Sequence, residues 1–471
     1  MNDPFLQAHE AFPLFYWMSL PLSPISIRDQ MVRGKMIIDR AFENEILVEG
    51  QDKGILVVGA GACGVTAAMT AAARNVPTVL IDRGSSAFHL QNGALTRYLD
   101  PTQYDWPLDH WQEGNFPWGA LPAMPLPYQA DIAGNVAAFW NISLNNFLSK
   151  HKHGSKLTIL WKTEIKNFTL NPSNASVMVK LSQAGGSSYH RDEFGLVIWA
   201  AGHGTETCVV ESNSKKVVYR GRPFWSIDYL TRPQCGLSVV PEVIIAGGGD
   251  GGLQDFLRAI TKCESAKEIY KACKIPSEIE RVVQSAEDRA HRCYIWGNPE
   301  NKRHDHAVHL MLQADHSAAV QKALKSKQVR AGLKHLFPNT PDNVRLVYRC
   351  SHFENFYGLN RFLVLLIASY LEQVYSMNNI LVPNASITDV SSKDGHSCAS
   401  TMIGGCDGRP HSVELSSYPD CRKGIGGPLR KLDANLIVIR YGIDSANLKL
   451  STRVRSAITR PRHSLPYHVP P

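Results

Sequence analysis

The chain has 471 residues, enough for two or three domains that each bury a core. Hydrophobic residues make up 44% and charged residues 20%, a balance typical of a globular protein, so a disordered chain is not expected. The formal net charge is +8, but the basic residues are scattered, so nucleic acid is not an expected partner. One basic cluster lies near the carboxyl terminus and is predicted to be a solvated tail: Arg453, Arg455, Arg460 and Arg462.

The amino-terminal residues 1–24 are aromatic and proline-rich. They lack a basic segment and carry early acidic residues, so they make a poor secretory signal. We predict an arm that packs on a domain or on another subunit. Residues 25–48 show helical periodicity, and their position ahead of the first glycine-rich turn suggests a lid or an oligomer contact.

The ten cysteines form no Cys-x-x-Cys pair and no metal-type spacing. This usage predicts reduced thiols in a cytoplasmic protein. The longest apolar stretch, Phe362 to Leu371, is too short to cross a bilayer, so no membrane partner is expected. The expected partners are a small-molecule substrate and a second copy of the chain.

Residues 54–84 hold the strongest motif. An apolar, β-branched run leads into the turn Gly59-Ala60-Gly61-Ala62-Cys63-Gly64, a small-residue helix follows, and a second apolar run ends in Asp82. In a dinucleotide-binding unit the first glycine makes the tight turn, the second lets the backbone approach a diphosphate, and the third allows close helix–strand packing. The start of the helix attracts the diphosphate, and Asp82 is placed to accept hydrogen bonds from an adenosine ribose.

A long loop rich in Gly, Pro, Trp and Tyr follows Asp82. It leaves the carboxyl ends of the first two predicted strands, the edge where open α/β sheets bind ligands. It therefore supplies candidate contacts to a flavin ring or a substrate, with loop packing as the alternative. These candidates are Arg97, Tyr98, Gln103, Tyr104, Asp105, Trp106 and His110.

The remaining pattern predicts an internal repeat. After paired strands around residues 171–174, a buried strand (Leu196 to Ala200) ends in Ala201-Gly202-His203-Gly204. A second strand, glycine turn and helix follow at residues 241–260, with Gly247, Gly249 and Gly252 at the same spacing as the first turn. The rest of the chain repeats the order of the first half. It contains a later strand that ends near Arg349, an apolar helix, further paired strands and the closing run LDANLIVIRYGID.

The motifs VVGAGACG with Asp82, VIWAAGHG, IIAGGGDGG and LIVIRYG together resemble those of two-dinucleotide-binding-domain flavoproteins. That group includes the pyridine nucleotide-disulfide reductases and the flavin-containing monooxygenases. The resemblance implies FAD at the first turn and NADPH or NADH at the second. The implied FAD contacts are Gly59, Gly61, Ala62, Cys63, Gly64, Asp82, Arg83, Arg97, Ala201 and Gly202. The implied NAD(P)H contacts are Gly247, Gly249, Asp250, Gly252 and Arg349, the last as a contact to the 2′-phosphate.

The sequence departs from the family pattern in three ways. No Gly-Asp segment of the flavin domain follows Asp444, so the FAD cradle would be completed by the amino-terminal arm or by a partner chain. A helical insertion at 262–343 separates the second glycine turn from its next strand, which leaves a degenerate repeat or a substrate domain as alternatives to NAD(P)H binding. The missing Cys-x-x-Cys pair excludes the dithiol chemistry of the disulfide reductases.

Four smaller features carry alternatives. Residues 247–252 also fit polyamine synthases or adenosylmethionine-dependent transferases, but that interpretation needs an acidic residue at the tip of the next strand. A histidine-rich cluster has a metal-site alternative to a locally hydrogen-bonded helix: His304, His306, His309, Asp315 and His316. Asn360 and Arg361 lie at the start of an apolar helix, where they could bind an anionic group; simple capping of the helix is the alternative for Asn360. His203, with Arg97 and Tyr104, is a candidate for catalysis, and a neutral loop histidine is the alternative.

The sequence therefore predicts an α/β fold of two Rossmann-like, doubly wound halves with crossover β elements and helical extensions. The predicted segments are an arm and helix (1–50), an FAD domain (51–235), a second domain (236–446) and a basic tail (447–471). The predicted function is a cytoplasmic FAD-dependent oxidoreductase, with a slight preference for the monooxygenase type. The alternative from another class is a non-catalytic FAD- or NAD(P)-binding sensor or interaction protein.

Overall fold

The computed structural model describes residues 3–18, 26–112, 115–116, 124–150, 154–171, 173, 175–184, 189–212, 214–231, 242–293, 295–296, 302–353, 357–397, 408–418, 426–444 and 465–466. The helices are α1 (Pro4–His9), α2 (Ile27–Glu43), α3 (Ala62–Ala73), α4 (His89–Asn92), α5 (Ala133–Leu148), α6 (Asp250–Thr261), α7 (Ala266–Cys273), α8 (Ser277–Cys293), α9 (Lys302–Ala323), α10 (Lys327–Leu336) and α11 (Gly358–Tyr375). The strands are β1 (Glu10–Phe12), β2 (Phe15–Trp17), β3 (Ile55–Val58), β4 (Thr78–Asp82), β5 (Tyr98–Leu99), β6 (Asn115–Phe116), β7 (Tyr128–Gln129), β8 (Asp131–Ile132), β9 (Leu157–Trp161), β10 (Thr163–Asn171), β11 (Ser176–Gln183), β12 (Tyr189–Phe194), β13 (Leu196–Trp199), β14 (Thr205–Glu206), β15 (Val209–Glu211), β16 (Val217–Arg220), β17 (Val243–Ala246), β18 (Ile295–Trp296), β19 (Val344–Val347), β20 (Leu381–Val382), β21 (Ala385–Ser392), β22 (His411–Ser417), β23 (Pro428–Ala434), β24 (Leu436–Ile439), β25 (Ile443–Asp444) and β26 (Leu465–Pro466).

The first sheet has the strand order β1-β2-β13-β3-β4-β9, and its neighbours from β2 to β9 run parallel. All four residues of β3 are buried, as expected for a parallel strand covered on both faces. Helix α3 connects β3 to β4. Its buried side chains are mostly alanines, so the helix lies close to the sheet.

The amino-terminal arm is part of this sheet. Strand β2 pairs in parallel with β13, with Tyr16 opposite Ile198, and the ring of Trp17 stacks on that of Trp199 at a centroid distance of 5.4 Å. The prediction that residues 25–48 form a lid is wrong, whereas the predicted oligomer contact stays a prediction. Helix α2 packs on α3, and Met31 and Ile37 on its buried face are 0% exposed, because the apolar stripe is needed for the domain's own core.

The second sheet repeats the first. Its order is β24-β17-β19-β20, all parallel, which matches β13-β3-β4-β9 strand for strand. The main-chain contacts at the turns match as well. The N–H of Gly59 donates to Ile81 O and that of Gly247 to Val347 O, each at 2.8 Å. The predicted α/β fold of two doubly wound halves is confirmed.

Each half carries a small antiparallel sheet before its closing strand. The predicted pairs of strands are in fact triplets, β10-β11-β12 and β21-β22-β23, and both contain a register shift at a similar point. The third strand of each triplet escaped the sequence pattern because it is polar (YHRDEF and PLRKLDA) and shows no apolar alternation.

Helices α7 to α10 lie within the predicted helical insertion and pack with α6 and α11 around one apolar core. Strand β14, after the first closing strand, pairs antiparallel with β25, after the second. In the part of the chain that the structure describes, no helix combines the length and the apolar composition needed to cross a membrane.

Candidate functional site

The first glycine turn has the geometry that its spacing predicts. Gly59 has φ +104°, and a Cβ on Gly64 would lie 1.9 Å from Gly59 O, so neither position tolerates a side chain. Gly61 is different, because a Cβ there would meet no atom within 4 Å. The protein's own packing therefore does not require a glycine at residue 61, and the space beside it is open to a ligand.

Helix α3 begins directly at this open space. Its N-cap is Gly61, which provides no side-chain hydrogen bond to the first turn of the helix. The first N–H groups of a helix have no intrahelical acceptor, and together with the helix dipole they attract an anion.

Ala62 is buried in this first turn, and burial raises the pKa of the neighbouring Cys63 thiol to about 12, so Cys63 is a protonated packing residue.

Asp82 lies at the carboxyl end of β4 beside the turn. Its Oδ2 accepts the N–H of Ala60 at 2.7 Å, and its Oδ1 accepts the N–H of Gly84 at 2.6 Å. An ionised carboxylate has about four lone-pair positions. Asp82 therefore fixes the turn and keeps acceptor capacity for a ribose hydroxyl. Arg83, the next residue, is exposed.

The end of the first closing strand forms the other wall. Gly59 lies against the end of this strand: a Cβ on Gly59 would be 2.5 Å from Ala200 O and 2.8 Å from Ala201 Cα. Ala201 and Gly202 are exposed, and His203 is half-buried. Gly61, Asp82 and this strand end thus surround one open edge of the first sheet.

The second turn repeats the backbone of the first but differs in its side chains. Gly247 has φ +141°, a Cβ on Gly252 would lie 2.1 Å from Gly247 O, and α6 begins at the N-cap Gly249 without a side-chain cap. Asp250 stands where the first turn has Ala62. The second turn therefore presents a carboxyl group at the start of its helix.

Asp250 is half-buried, and its Oδ1 accepts a hydrogen bond of 3.2 Å from Asn360 Nδ2 at the start of α11. Burial raises the pKa of Asp250 to about 7; the hydrogen bond and the charge of Arg361 oppose this shift, and the charge of Glu287 adds to it. Asn360 is thus a contact of Asp250 in this structure. Arg361 is buried, with its Nη1 3.9 Å from Glu287 Oε1.

The residue that matches Asp82 in the second half is Tyr348. The equivalence follows from the paired main-chain bonds of Ile81 and Val347, each one residue earlier. The second half thus has no carboxylate at this position, which also removes the acidic residue that the adenosylmethionine alternative requires. The following residue, Arg349, is exposed and lies over the ring of Tyr418 at 4.7 Å.

The long loop after β4 does not line the open edge of the first turn as a whole. Arg97 is 2% exposed and belongs to a buried cluster of charges that joins this loop to the second half. It pairs with Asp255 of α6 and, at 3.0 Å, with Asp228, and its Nε donates to Phe224 O at 2.5 Å. The prediction of Arg97 as a cofactor or catalytic contact is corrected accordingly, because its donors face protein carboxylates and a carbonyl.

The same cluster holds two further arginines. Arg258 bonds both oxygens of Asp228 at 2.9 and 3.0 Å, and Arg440 Nε bonds Asp255 Oδ2 at 2.8 Å. Burial acts to raise the pKa of Asp255, but the charges of Arg97, Arg440 and Arg258 outweigh it and hold that pKa below its usual range. Sequence reasoning missed this cluster, although Arg440 at the end of an apolar strand and Arg258 in an apolar helical run were visible signals.

The other loop candidates have mixed positions. Gln103, Asp105 and Trp106 are buried, and Asp105 pairs with Arg28 of α2. Tyr98 and Tyr104 are half-buried, the ring of Tyr104 lies 4.1 Å from that of Tyr357, and burial raises the pKa of Tyr104. The side chain of His110 lies outside the description. Tyr104 is therefore the loop candidate that remains close to Asp250, whose charge also acts on it.

The histidine-rich helix forms packing contacts. His306 Nδ1 lies 2.7 Å from His352 Nε2, and burial lowers the pKa of His309 to about 3. His316 Nε2 lies 2.7 Å from Glu287 Oε1, whereas Asp315 pairs with Arg289. No group of three or more metal-ligating side chains among the described residues could hold a metal ion; the side chain of His304 is not among them.

No family model matches the sequence, and no curated protein matches it. Solved structures do match. Thioredoxin reductase from T. acidophilum is 12% identical with a TM-score of 0.35, over 83% of this chain and 77% of that one. Bacillithiol disulfide reductase from Staphylococcus aureus is 11% identical with a TM-score of 0.38, over 84% and 79%. Ornithine N-hydroxylase from Kutzneria sp. 744, a structure with reduced FAD and NADP+, is 12% identical with a TM-score of 0.35, over 84% and 83%.

The three matched proteins are named as two reductases and one hydroxylase. At these TM-scores the similarity does not assign a ligand to this chain. The geometry of the two glycine turns is the basis for its function.

Proposed function

We propose that this protein is an FAD-dependent oxidoreductase that holds its flavin nucleotide at the first glycine turn. The observation that supports this most is the open space at Gly61. A glycine stands there although the protein itself leaves room for a side chain, and the uncapped start of α3 faces the same space. A diphosphate is the ligand that needs both features.

The residues around the turn have distinct parts in this proposal. The N–H groups at the start of α3 would bind the diphosphate, Asp82 would accept from the adenosine ribose, and the exposed Ala201-Gly202 backbone would be available to the cofactor. FAD held here would supply hydride and electron transfer between NAD(P)H or a substrate and an acceptor such as oxygen. The protein's own contribution is to bind and orient this group.

The second turn is proposed to bind NADPH in preference to NADH. Tyr348 replaces the carboxylate that would hold a free ribose 2′-hydroxyl, and the exposed Arg349 is available to a 2′-phosphate. A second nucleotide site without a Cys-x-x-Cys pair favours the monooxygenase type over the dithiol reductases. A small-molecule substrate and a cytoplasmic location complete the proposal. The thiols of Cys63, Cys208, Cys263 and Cys273 form no disulfide, which supports the location.

The decisive experiment uses Gly61→Ala. The added methyl group meets no protein atom, and Gly61 has φ −80°, so we expect an unchanged melting temperature. The methyl group occupies the approach of the diphosphate, so we expect FAD affinity to fall by about tenfold or more. Isothermal titration calorimetry with FAD, and flavin absorbance of the purified protein, measure this.

Gly93→Ala is the matched control. Gly93 also has open space at its Cβ position and a φ of −85°, but it lies in the loop after α4. If Gly61→Ala binds FAD as tightly as the wild type and as Gly93→Ala, the first turn is not the flavin site. If the wild-type protein binds no FAD at all, the proposed function is wrong.

Turnover separates an enzyme from a sensor. We expect NADPH to bleach the bound flavin and air to restore its colour. If the protein binds FAD but neither NADPH nor NADH bleaches the bound flavin, it would be a binding protein without this catalysis.

A further inference from the structure

Helix α5 has an outer face unlike that of an ordinary surface helix. Its 16 residues contain no Asp, Glu, Lys or Arg. The inner face is anchored in the first half, where Trp140 is 0% exposed and its Nε1 donates to Pro127 O at 2.6 Å. On the outer face, Phe139 is 58% and Ile142 is 55% exposed. A solvated helix usually carries charges on such a face, so these residues require an explanation.

Two more apolar side chains extend this surface. Leu90 of α4 is 56% exposed and Leu95 is 55% exposed. Leu95 Cδ2 lies 2.8 Å from the position of a Cβ on Gly134, which places it beside the start of α5. A 3.4 Å hydrogen bond from Asn141 to Asn92 joins α4 to α5. We call these four residues, Leu90, Leu95, Phe139 and Ile142, the α5 patch.

The order of residues along the outer face is symmetric. The stripe reads Asn135, Phe139, Ile142 and Asn146, with steps of four, three and four residues, and all four are exposed. A second α5 that lies antiparallel across a twofold axis would set Phe139 against Ile142 of the other copy, and Asn135 against Asn146. A surface of this kind is complementary to itself, which is what a twofold dimer interface requires.

We propose that the α5 patch is the interface of a homodimer in which two α5 helices pack antiparallel. The area is sufficient. The four apolar side chains expose on the order of 400 Å² per copy, so two copies and their amide rims cover more than about 1,000 Å², the size of a specific interface. The asparagine side chains at the rim both donate and accept hydrogen bonds, so the identical rims of two copies can pair. Each chain has a net charge of +8, and the absence of charged residues from α5 means that no like charges meet at the contact.

The same features weigh against a membrane as the occupant. Helices that lie on a lipid surface usually carry Lys and Arg along the polar side of their apolar face. The polar residues of α5 are asparagines and a serine. The dimer is independent of the proposed flavin chemistry, because the α5 patch contains none of the residues of either glycine turn.

The test measures the mass of the 52.2 kDa chain in solution by sedimentation equilibrium. We expect a dimer for the wild type. Phe139→Glu and Ile142→Glu should each raise the dimer dissociation constant by about tenfold or more, because each places two carboxylates at the centre of the interface. Val48→Glu, at a residue that is 58% exposed and outside the patch, should leave it unchanged. Circular dichroism and the melting temperature establish that each variant is folded.

The register is tested by a charge pair. In the double variant Phe139→Glu with Ile142→Lys, each introduced carboxylate faces an introduced ammonium group of the other copy, so we expect the dimer to return. A wild-type protein that stays monomeric at about 100 μM, well above a typical specific dissociation constant, overturns the proposal. Single variants that dimerise like the wild type, or a double variant that stays dissociated, also overturn it. A monomer that floats with phosphatidylcholine vesicles would overturn it as well.

Discussion

At the scale of single residues, Asp250 links the second turn to pH. Its carboxyl group stands at the start of α6, where an anionic diphosphate would bind, and burial raises its pKa to about 7. Below this pKa the group is neutral and the diphosphate meets no opposing charge. Above it, the carboxylate and the diphosphate repel each other, so binding requires the uptake of a proton.

We therefore predict that the dissociation constant for NADPH rises about tenfold between pH 6 and pH 8, since affinity falls by that factor for each unit above the pKa. Asp250→Asn should remove this dependence and bind NADPH at pH 8 as tightly as the wild type does at pH 6. Fluorescence titration with NADPH at several pH values measures both. A wild-type profile as flat as that of Asp250→Asn would contradict the prediction while leaving FAD binding at the first turn untouched.

Arg349 offers a second test at this scale. If its guanidinium binds the 2′-phosphate, Arg349→Ala should raise the KM for NADPH about tenfold or more and leave the KM for NADH unchanged, because a charge-assisted bond is worth about 1.5–3 kcal/mol. Arg281→Ala is the control, since Arg281 is an exposed arginine of α8 that belongs to neither glycine turn. Equal effects of Arg349→Ala on the two nucleotides would remove this role.

At the scale of elements, β2 continues the first sheet beyond β13. Its aromatic residues fill the edge beside β13, and Phe15, Tyr16 and Trp17 are all 0% exposed. The matching edge of β24 has no strand beside it among the described residues. There, Tyr219 Oη donates to Ile437 O at 3.0 Å and Arg440 Nη1 to Ile439 O at 2.8 Å. The two halves thus protect equivalent edges by different means.

The arm should accordingly contribute strongly to stability. Trp17→Ala removes a fully buried indole that stacks on Trp199, and we expect the free energy of unfolding to fall by about 3–5 kcal/mol. Leu429→Ala, on a side chain that is 47% exposed, should change it by less than about 0.5 kcal/mol. Denaturation by urea compares the two, and a loss near that of Leu429→Ala would mean that the strand is dispensable.

The sequence predicted those elements whose signals are local. The glycine turns, the apolar runs around them and the repeat of their order follow from rules that act over a few residues. The pairing of β2 with β13 joins Tyr16 to Ile198, and no local pattern encodes such a distant contact. The role of Arg97 was missed for the same reason, because its partners Asp228 and Asp255 lie far along the chain, Asp255 at a separation of 158 residues.

At the scale of the whole molecule, the buried charges around Asp255 hold the two halves together. Arg97 comes from the loop after β4, whereas Asp255 and Arg258 belong to α6, and every charge has a partner of opposite sign. Removing one member of such a cluster leaves a buried charge uncompensated. The cluster therefore fixes the loop after β4 against α6.

We predict that Arg97→Ala lowers the free energy of unfolding by about 3–5 kcal/mol. Arg281→Ala, on an exposed side chain of α8, should change it by less than about 0.5 kcal/mol. Thermal and urea denaturation both report the difference. If Arg97→Ala unfolds like the wild type but loses flavin, Arg97 would be a cofactor contact after all and the structural assignment would be wrong.

The place of β2 has a consequence for biosynthesis. All strands of the first sheet lie within residues 10–199, and those of the second within 243–439. A ribosome releases the complete set of strands for the first half before the second half is made, and domains generally fold in that order. The nascent chain can therefore close its first sheet early, with the hydrophobic edge of β13 already covered while the remaining codons are still being translated.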